Sequence, residues 1–403
     1  MQIIKKIGIA VMVMFLNNCA TTGSLTSLSS SELKQLGSGL SASLDINITE
    51  FDPGLEGDSD SWKSKGIWPE LRRTESRKFA VDLKKAFDKV GTFEEVYVTP
   101  SPNYLSDITI EGKIKKSNGE VLHLDLLVKD SSNKTILKKT YRHRVKEEFF
   151  NNLRNKEKDP YAPAWNSIVE DIVNKLLRNK NLNKVSTLTE VRYAAALNEE
   201  AFSDALIKKT KNRHKPSEYE LYLLGFIPAE NDPLFIKAKN VRSKDLSFRS
   251  DMQTHYQSFL NQVEPDYKVW QETAFKFSKA KREAEGKAAT AAVVGALFLV
   301  AAAYAGADDV YYADPSTVGL ALGAAAMFDE YSSNKAEGQA AQANLNQIAG
   351  SLEAQVAPKV IKFEGTSVKL EGSISQQFNQ WQAYLAEYYV GQNKIKKEIE
   401  VIR

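Results

Sequence analysis

A single cysteine, Cys19, stands among 403 residues, and only four histidines accompany it: His123, His143, His214 and His255. One cysteine has no partner within the chain, so an intramolecular disulfide framework is excluded. No two histidines are spaced as a metal-binding pair, and without cysteine partners a zinc site is not expected. An excess of charge is missing as well. The formal net charge is +3, and it falls to +1 without Lys5 and Lys6. A nucleic-acid binder would carry a basic excess, so nucleic acid is not an expected partner. No nucleophile elbow, phosphate-binding glycine loop or metalloprotease helix motif occurs. No catalytic, cofactor or metal residue is therefore assigned, and the chain reads as non-enzymatic.

What is present begins at the N-terminus. Lys5 and Lys6 precede an uncharged apolar run, Ile7 to Leu16. That is the layout of an export signal, and the run is short of the roughly 20 residues that span a bilayer. It ends in Leu16-Asn17-Asn18-Cys19. Leu16 and Cys19 resemble the bacterial lipoprotein box, which implies cleavage before Cys19 and acylation of its thiol. Ala20, not an acidic residue, follows the cysteine, and by the sorting habit of such lipoproteins this implies the outer membrane, facing the periplasm. The Ser-, Thr- and Gly-rich stretch after it reads as a flexible tether over 19–39.

The fold class expected is α+β. Residues 40–183 form one domain, with alternation predicting strands and apolar spacing predicting helices. Leu44 to Thr49 is a strand, and Pro69 opens a helix through Val90. A short strand around Val96 to Val98 follows. Three further strands run over 107–116, 121–129 and 135–145, the first two joined by the hairpin signal Asn118-Gly119. Trp165, Ile168, Ile172 and Leu176 mark the closing helix. The order is β-α-β-β-β-β-α, with helices on one face of the sheet. The stretches "SDITIEGKIKKSNGEVLHLDLLVKDSSNKTILKKTY" (106–141) and "DPYAPAWNSIVEDIVNKL" (159–176) resemble the TolB N-terminal-like fold of envelope accessory lipoproteins. The resemblance implies a docking or assembly domain. Asp107, Glu111, Asp125 and Asp130 sit near strand ends, where a carboxylate pair is what glycoside hydrolysis needs. They are read as solvated polar positions, and His143 as an exposed strand residue.

Residues 184–403 read as a mainly α-helical domain. Short helices are expected over 189–207 and 216–226. A long helical pattern from Leu234 is expected to break at Pro265 and resume at Tyr267. It leads into twenty uncharged residues, 288–307, ten of them alanine. With a second uncharged run, 316–328, this predicts an Ala/Gly-rich apolar hairpin over 288–328. Gly295, Gly319 and Gly323 are its candidate packing positions, since small residues let helices approach closely. A polar helix is expected over 329–356 and a short β-hairpin over 360–372. A final helix carries Ile374, Phe378, Trp381, Leu385 and Tyr388 on one stripe.

The function expected from these observations is a non-enzymatic outer-membrane lipoprotein. It would be anchored in the lipid bilayer through Cys19 and act as an assembly or accessory subunit of an envelope complex, with an envelope protein or further copies of itself as partner. A membrane-inserting oligomer built on the 288–328 hairpin is the alternative, and a cell-wall-acting enzyme the least supported one.

Overall fold

The computed structural model describes residues 24–25, 27–58, 62, 67–210, 220–285, 344, 346–347, 357–363 and 366–402. Cys19, Gly295, Gly319, Gly323 and the 288–328 hairpin lie outside the described residues. So does the polar helix expected over 329–356, apart from Asn344, Asn346 and Gln347, which are helical.

The α+β class stands. In chain order the first part holds α1 (Ser30–Gly37), β1 (Asp45–Thr49), α2 (Pro69–Asp88) and β2 (Glu95–Thr99), then β3 (Ile108–Ser117), β4 (Val121–Asp130) and β5 (Thr135–Arg144). A short helix α3 (Glu147–Phe150), a 3-10 turn (Leu153–Asn155) and α4 (Ala162–Leu177) follow. The five strands form one sheet in the order β2-β1-β3-β4-β5. β1 is parallel to both neighbours, while β3, β4 and β5 are antiparallel in sequence. The parallel β1–β2 pair needs a crossover, and α2 supplies it.

Alternation on β3 and β4 turns Ile108, Ile110, Ile114, Leu122, Leu124, Leu126 and Val128 inward. α2 and α4 cover that face with Phe79, Leu83, Phe87, Trp165, Ile168 and Ile172. Gly119 adopts φ +80° in the β3–β4 turn, which L side chains rarely adopt, and a β-carbon there would meet the backbone around Gln271 to Phe275.

The tether expected over 19–39 is corrected in part. Ser30–Gly37 is a helix with a capping box, in which Ser29 and Glu32 satisfy each other's backbone N–H groups. Leu33 is fully buried, and Leu25 and Leu28 pack on the core. The Ser- and Leu-rich composition matches a linker, but three leucines at 25, 28 and 33 give it a face to bury.

The second part holds α5 (Leu182–Leu197), α6 (Glu199–Phe202), β6 (Leu206–Thr210), β7 (Glu220–Leu224), α7 (Pro233–Glu285), β8 (Lys359–Phe363), β9 (Thr366–Leu370) and α8 (Ile374–Ile402). Two expectations are corrected here. Glu220–Leu224 is a strand paired antiparallel with β6, not part of a helix. Leu221-Tyr222-Leu223 suits either state by pattern, and the available edge of β6 decides it. Second, α7 runs through Pro265 unbroken for 53 residues. A proline removes one helix hydrogen bond, but Val263 and Tyr267 beside it are buried, and their packing outweighs the loss. The β8–β9 hairpin matches the sequence reading, and Ile374, Phe378, Trp381 and Leu385 are buried as expected, but Tyr389 and not the half-buried Tyr388 completes the stripe of α8.

A boundary near residue 183 is not where the packing ends. One hydrophobic cluster extends from Leu33 through Val98 and Tyr161 to Phe248, Tyr267, Trp381 and Tyr389. α7 lies along the edge strand β2. There the Gln253 side chain accepts from the Val98 N–H (2.9 Å) and donates to the Val98 carbonyl (3.0 Å).

Candidate functional site

Polar side chains gather in three places. The first is the seam where β1 and β3 begin. Asp45 and Asp107 each accept the other's backbone N–H, at 2.9 and 3.1 Å. Thr189 of α5 donates to Asp107 (2.6 Å), and Arg242 of α7 lies 3.3 Å from Asp45. Both aspartates are buried. Burial and the adjacent Asp45 push the Asp107 carboxyl up to about 8, against the pull of Thr189 and Arg242. Nearby, Arg249 donates to the Leu105 carbonyl (3.0 Å) and to Ser106 Oγ (3.1 Å), and pairs with Asp245. Gln382 of α8 donates to the same Asp245 at 2.6 Å.

The second cluster lies between α2 and α7. Tyr267 donates to the buried Glu75 (2.8 Å), as does Ser117. Burial raises the Glu75 pKa, with Arg72 opposing. Lys78 sits 2.7 Å from Asp82 and 3.4 Å from Glu264. Burial works against its charge, but Asp82, Asp159 and Glu264 outweigh this and hold the ammonium charged.

The third place is an open cavity of about 630 Å³. Ser24, Glu120, Arg144, Lys146, Glu147, Glu148, Lys279 and Arg282 supply its polar wall, and Val145 and Phe275 its apolar part. Arg144 and Arg282 both pair with Glu120, and Lys279 with Glu147. A smaller depression of about 340 Å³ holds Glu111, Lys129, Asp130 and Arg192.

The four carboxylates singled out in the sequence do not converge. Glu111 and Asp130 share the smaller depression, where Glu111 pairs with Lys129 and Asp130 caps the 130–134 turn through the Ser132 and Lys134 N–H groups. Asp125 accepts from Thr140 on the neighbouring strand. Asp107 and Asp130 are buried, which corrects their reading as solvated positions. General acid–base chemistry needs the carboxyl within reach of a substrate. Asp45, Asp107, Glu75 and Asp82 line neither cavity and are engaged with one another's helices and strands. Among the described residues no group of three or more His, Cys, Asp or Glu could hold a metal ion.

His143 is also corrected, from exposed to buried. Its Nδ1 accepts the Leu25 N–H at 3.1 Å, and its Nε2 lies 3.1 Å from the Pro160 carbonyl. The N-terminal segment covers the His143 side chain, which strand alternation alone leaves open. Burial lowers the His143 pKa from its ordinary 6.5, with Pro160 and Asp159 opposing. A base lowered on folding contributes stability in full above 6.5 and loses it as pH falls through the lower folded value. Protonation also removes the acceptor for Leu25. The Leu25 amide is therefore expected to lose hydrogen-exchange protection as pH falls from 7 through the lowered folded value of His143. Exchange that follows only the intrinsic pH dependence would rule this out.

Asp245 and Arg249 were missed in the sequence although a signal exists. They are spaced i, i+4 on the same stripe as Val241, Phe248, Met252 and Tyr256. A charged pair at that spacing inside a buried stripe marks a helix docked on polar backbone. No family model, curated protein or solved structure matches the chain.

Proposed function

We propose that this protein is a non-enzymatic lipoprotein of the outer membrane, acylated at Cys19, facing the periplasm and serving as an assembly or accessory subunit of an envelope complex. The observation that carries this reading is the placement of the N-terminal segment. Ser24 already lines a cavity of the folded body and Leu25 is bonded to a buried histidine, only five residues beyond the lipoprotein-box cysteine. A lipid on Cys19 would hold the body close to the bilayer. The use of buried carboxyls as joints between helices and sheet supports a binding role over catalysis. A partner surface is offered near the start of α7. Ile207 and Leu223 are cross-strand neighbours and both exposed, and Phe226 and Ile227 follow at 53% and 59% exposure. Exposed apolar groups gathered in one place mark interaction sites.

Labelled palmitate should enter the wild-type chain and not Cys19→Ser, and the variant should leave the membrane fraction. Equal labelling of both chains would remove the lipoprotein reading. The alternative, a membrane-inserting oligomer, gains support from one feature: α7 ends at Glu285, three residues before the uncharged run, beside the cavity that Ser24 lines. Among the described residues no helix is long and apolar enough to cross a membrane.

A further inference from the structure

We propose that the face around the larger cavity rests on a phospholipid surface, with Leu153 as the side chain that enters it. The inference deepens the lipoprotein reading and rests on it for the identity of the anchor.

Three observations converge on this face. First, Ser24 lines the cavity, and the five residues back to Cys19 reach at most about 18 Å when fully extended. Second, Lys279 and Arg282 line the same cavity, and the uncharged run 288–307 starts six residues after Arg282. Ser24 and Arg282, described residues close in sequence to the two segments with lipid affinity, thus line one cavity. Third, Leu153 is 89% exposed, more than any other large apolar residue described as exposed. It opens the 3-10 turn directly after α3, whose Glu147 and Glu148 form part of the cavity rim.

The local build suits an interface. Phe149 and Phe150 pack edge to face at 5.3 Å, and Phe150 meets Phe275 of α7 at 4.7 Å. This aromatic stack fixes the base of the loop and leaves Leu153 projecting. Arg154, Lys156 and Lys158 follow it, and Lys146 precedes it. An apolar tip with cations beside it matches a bilayer surface, where the tip enters the acyl boundary and the cations meet phosphates. Counting the cavity and this loop together, Arg144, Lys146, Arg154, Lys156, Lys158, Lys279 and Arg282 exceed Glu120, Glu147, Glu148, Glu157 and Asp159, which favours anionic headgroups.

The test uses the full acylated chain, whose native cysteine is blocked by lipid, so that an introduced thiol takes a fluorophore alone. Arg154→Cys and Lys209→Cys are each labelled with bimane and reconstituted in phosphatidylethanolamine–phosphatidylglycerol vesicles containing a doxyl-labelled lipid. Position 154 should lose fluorescence and position 209 should not. Leu153→Asp should abolish the loss at 154 while leaving the melting temperature unchanged, because an exposed side chain supports no core. Quenching at neither position, or at both alike, overturns the proposal. So does protection of position 154 in native envelopes but not in vesicles, which would assign the face to a protein. If palmitate fails to label Cys19, the same two probes are read with vesicles on the unacylated chain carrying Cys19→Ser, so that the introduced thiol is again the one that reacts. The anchor then falls by the palmitate assay alone, and the face stands or falls by quenching alone.

Discussion

Arg249→Ala should destabilise the protein by about 3–5 kcal/mol, the usual cost of removing one partner of a buried ion pair. Arg249 is 1% exposed and Asp245 is 0% exposed, so the substitution strands a carboxylate where water does not reach. It also removes the donors to the Leu105 carbonyl and Ser106 Oγ, the backbone that leads into β3. Asp245 holds α8 through Gln382, so the damage should extend to the C-terminal helix. Arg249→Lys should recover little, because a single ammonium cannot reproduce the fork that reaches both Asp245 and Leu105. The double change Asp245→Ala with Arg249→Ala should cost less than the two single changes summed, since no charge is then left alone. Urea denaturation measures all three. A loss under about 1 kcal/mol for Arg249→Ala would mean that water enters the seam and solvates Asp245.

A chain ending at Asn183 should show no cooperative melting transition, and the full chain should melt as one unit. The reason is what α7 contributes across that boundary. It supplies Gln253 to β2, Tyr256 to Glu50 and Tyr267 to Glu75. Its Phe248, Met252, Phe259 and Val263 belong to the same apolar cluster as α2 and the sheet. Truncation uncovers that surface and strips partners from buried groups of the first unit, including Thr189 from Asp107 and Arg242 from Asp45. Calorimetry of the shortened chain is the direct measurement. A sharp transition with its own heat-absorption peak would establish residues 40–183 as a self-sufficient domain.

The sequence disclosed the first unit well because its signals are local. Period-2 alternation on β3 and β4, Asn118-Gly119 between them and Pro69 at the start of α2 each determine structure over a few residues. What it hid depends on distant partners. Glu220–Leu224 is a strand because β6 offers an edge. α7 passes Pro265 because the flanking Val263 and Tyr267 are buried. His143 is covered by a segment 118 residues upstream. Alternation marks which residues share a face, but not whether another element lies on that face, so Asp107 read as solvated. The site shows the same division. The unusual character of the N-terminus and of 288–307 was legible in composition, whereas the meeting of Ser24 with Lys279 and Arg282 at one cavity depends on where the far end of α7 packs.

The pairing of Gln253 with Val98 also limits how copies of this protein can associate through their sheets. A side-chain amide occupies the N–H and C=O of Val98 as a neighbouring strand would, and α7 packs along the rest of that edge. Among the described residues β5 has a strand neighbour on one side only, β4. The sheet therefore has a valency of one. Two copies joined β5 to β5 would form a closed, two-fold pair with no free edge for a third, whereas a sheet open at both ends could recruit copies without limit and grow into a fibre. That difference separates an assembly of fixed size from an aggregate.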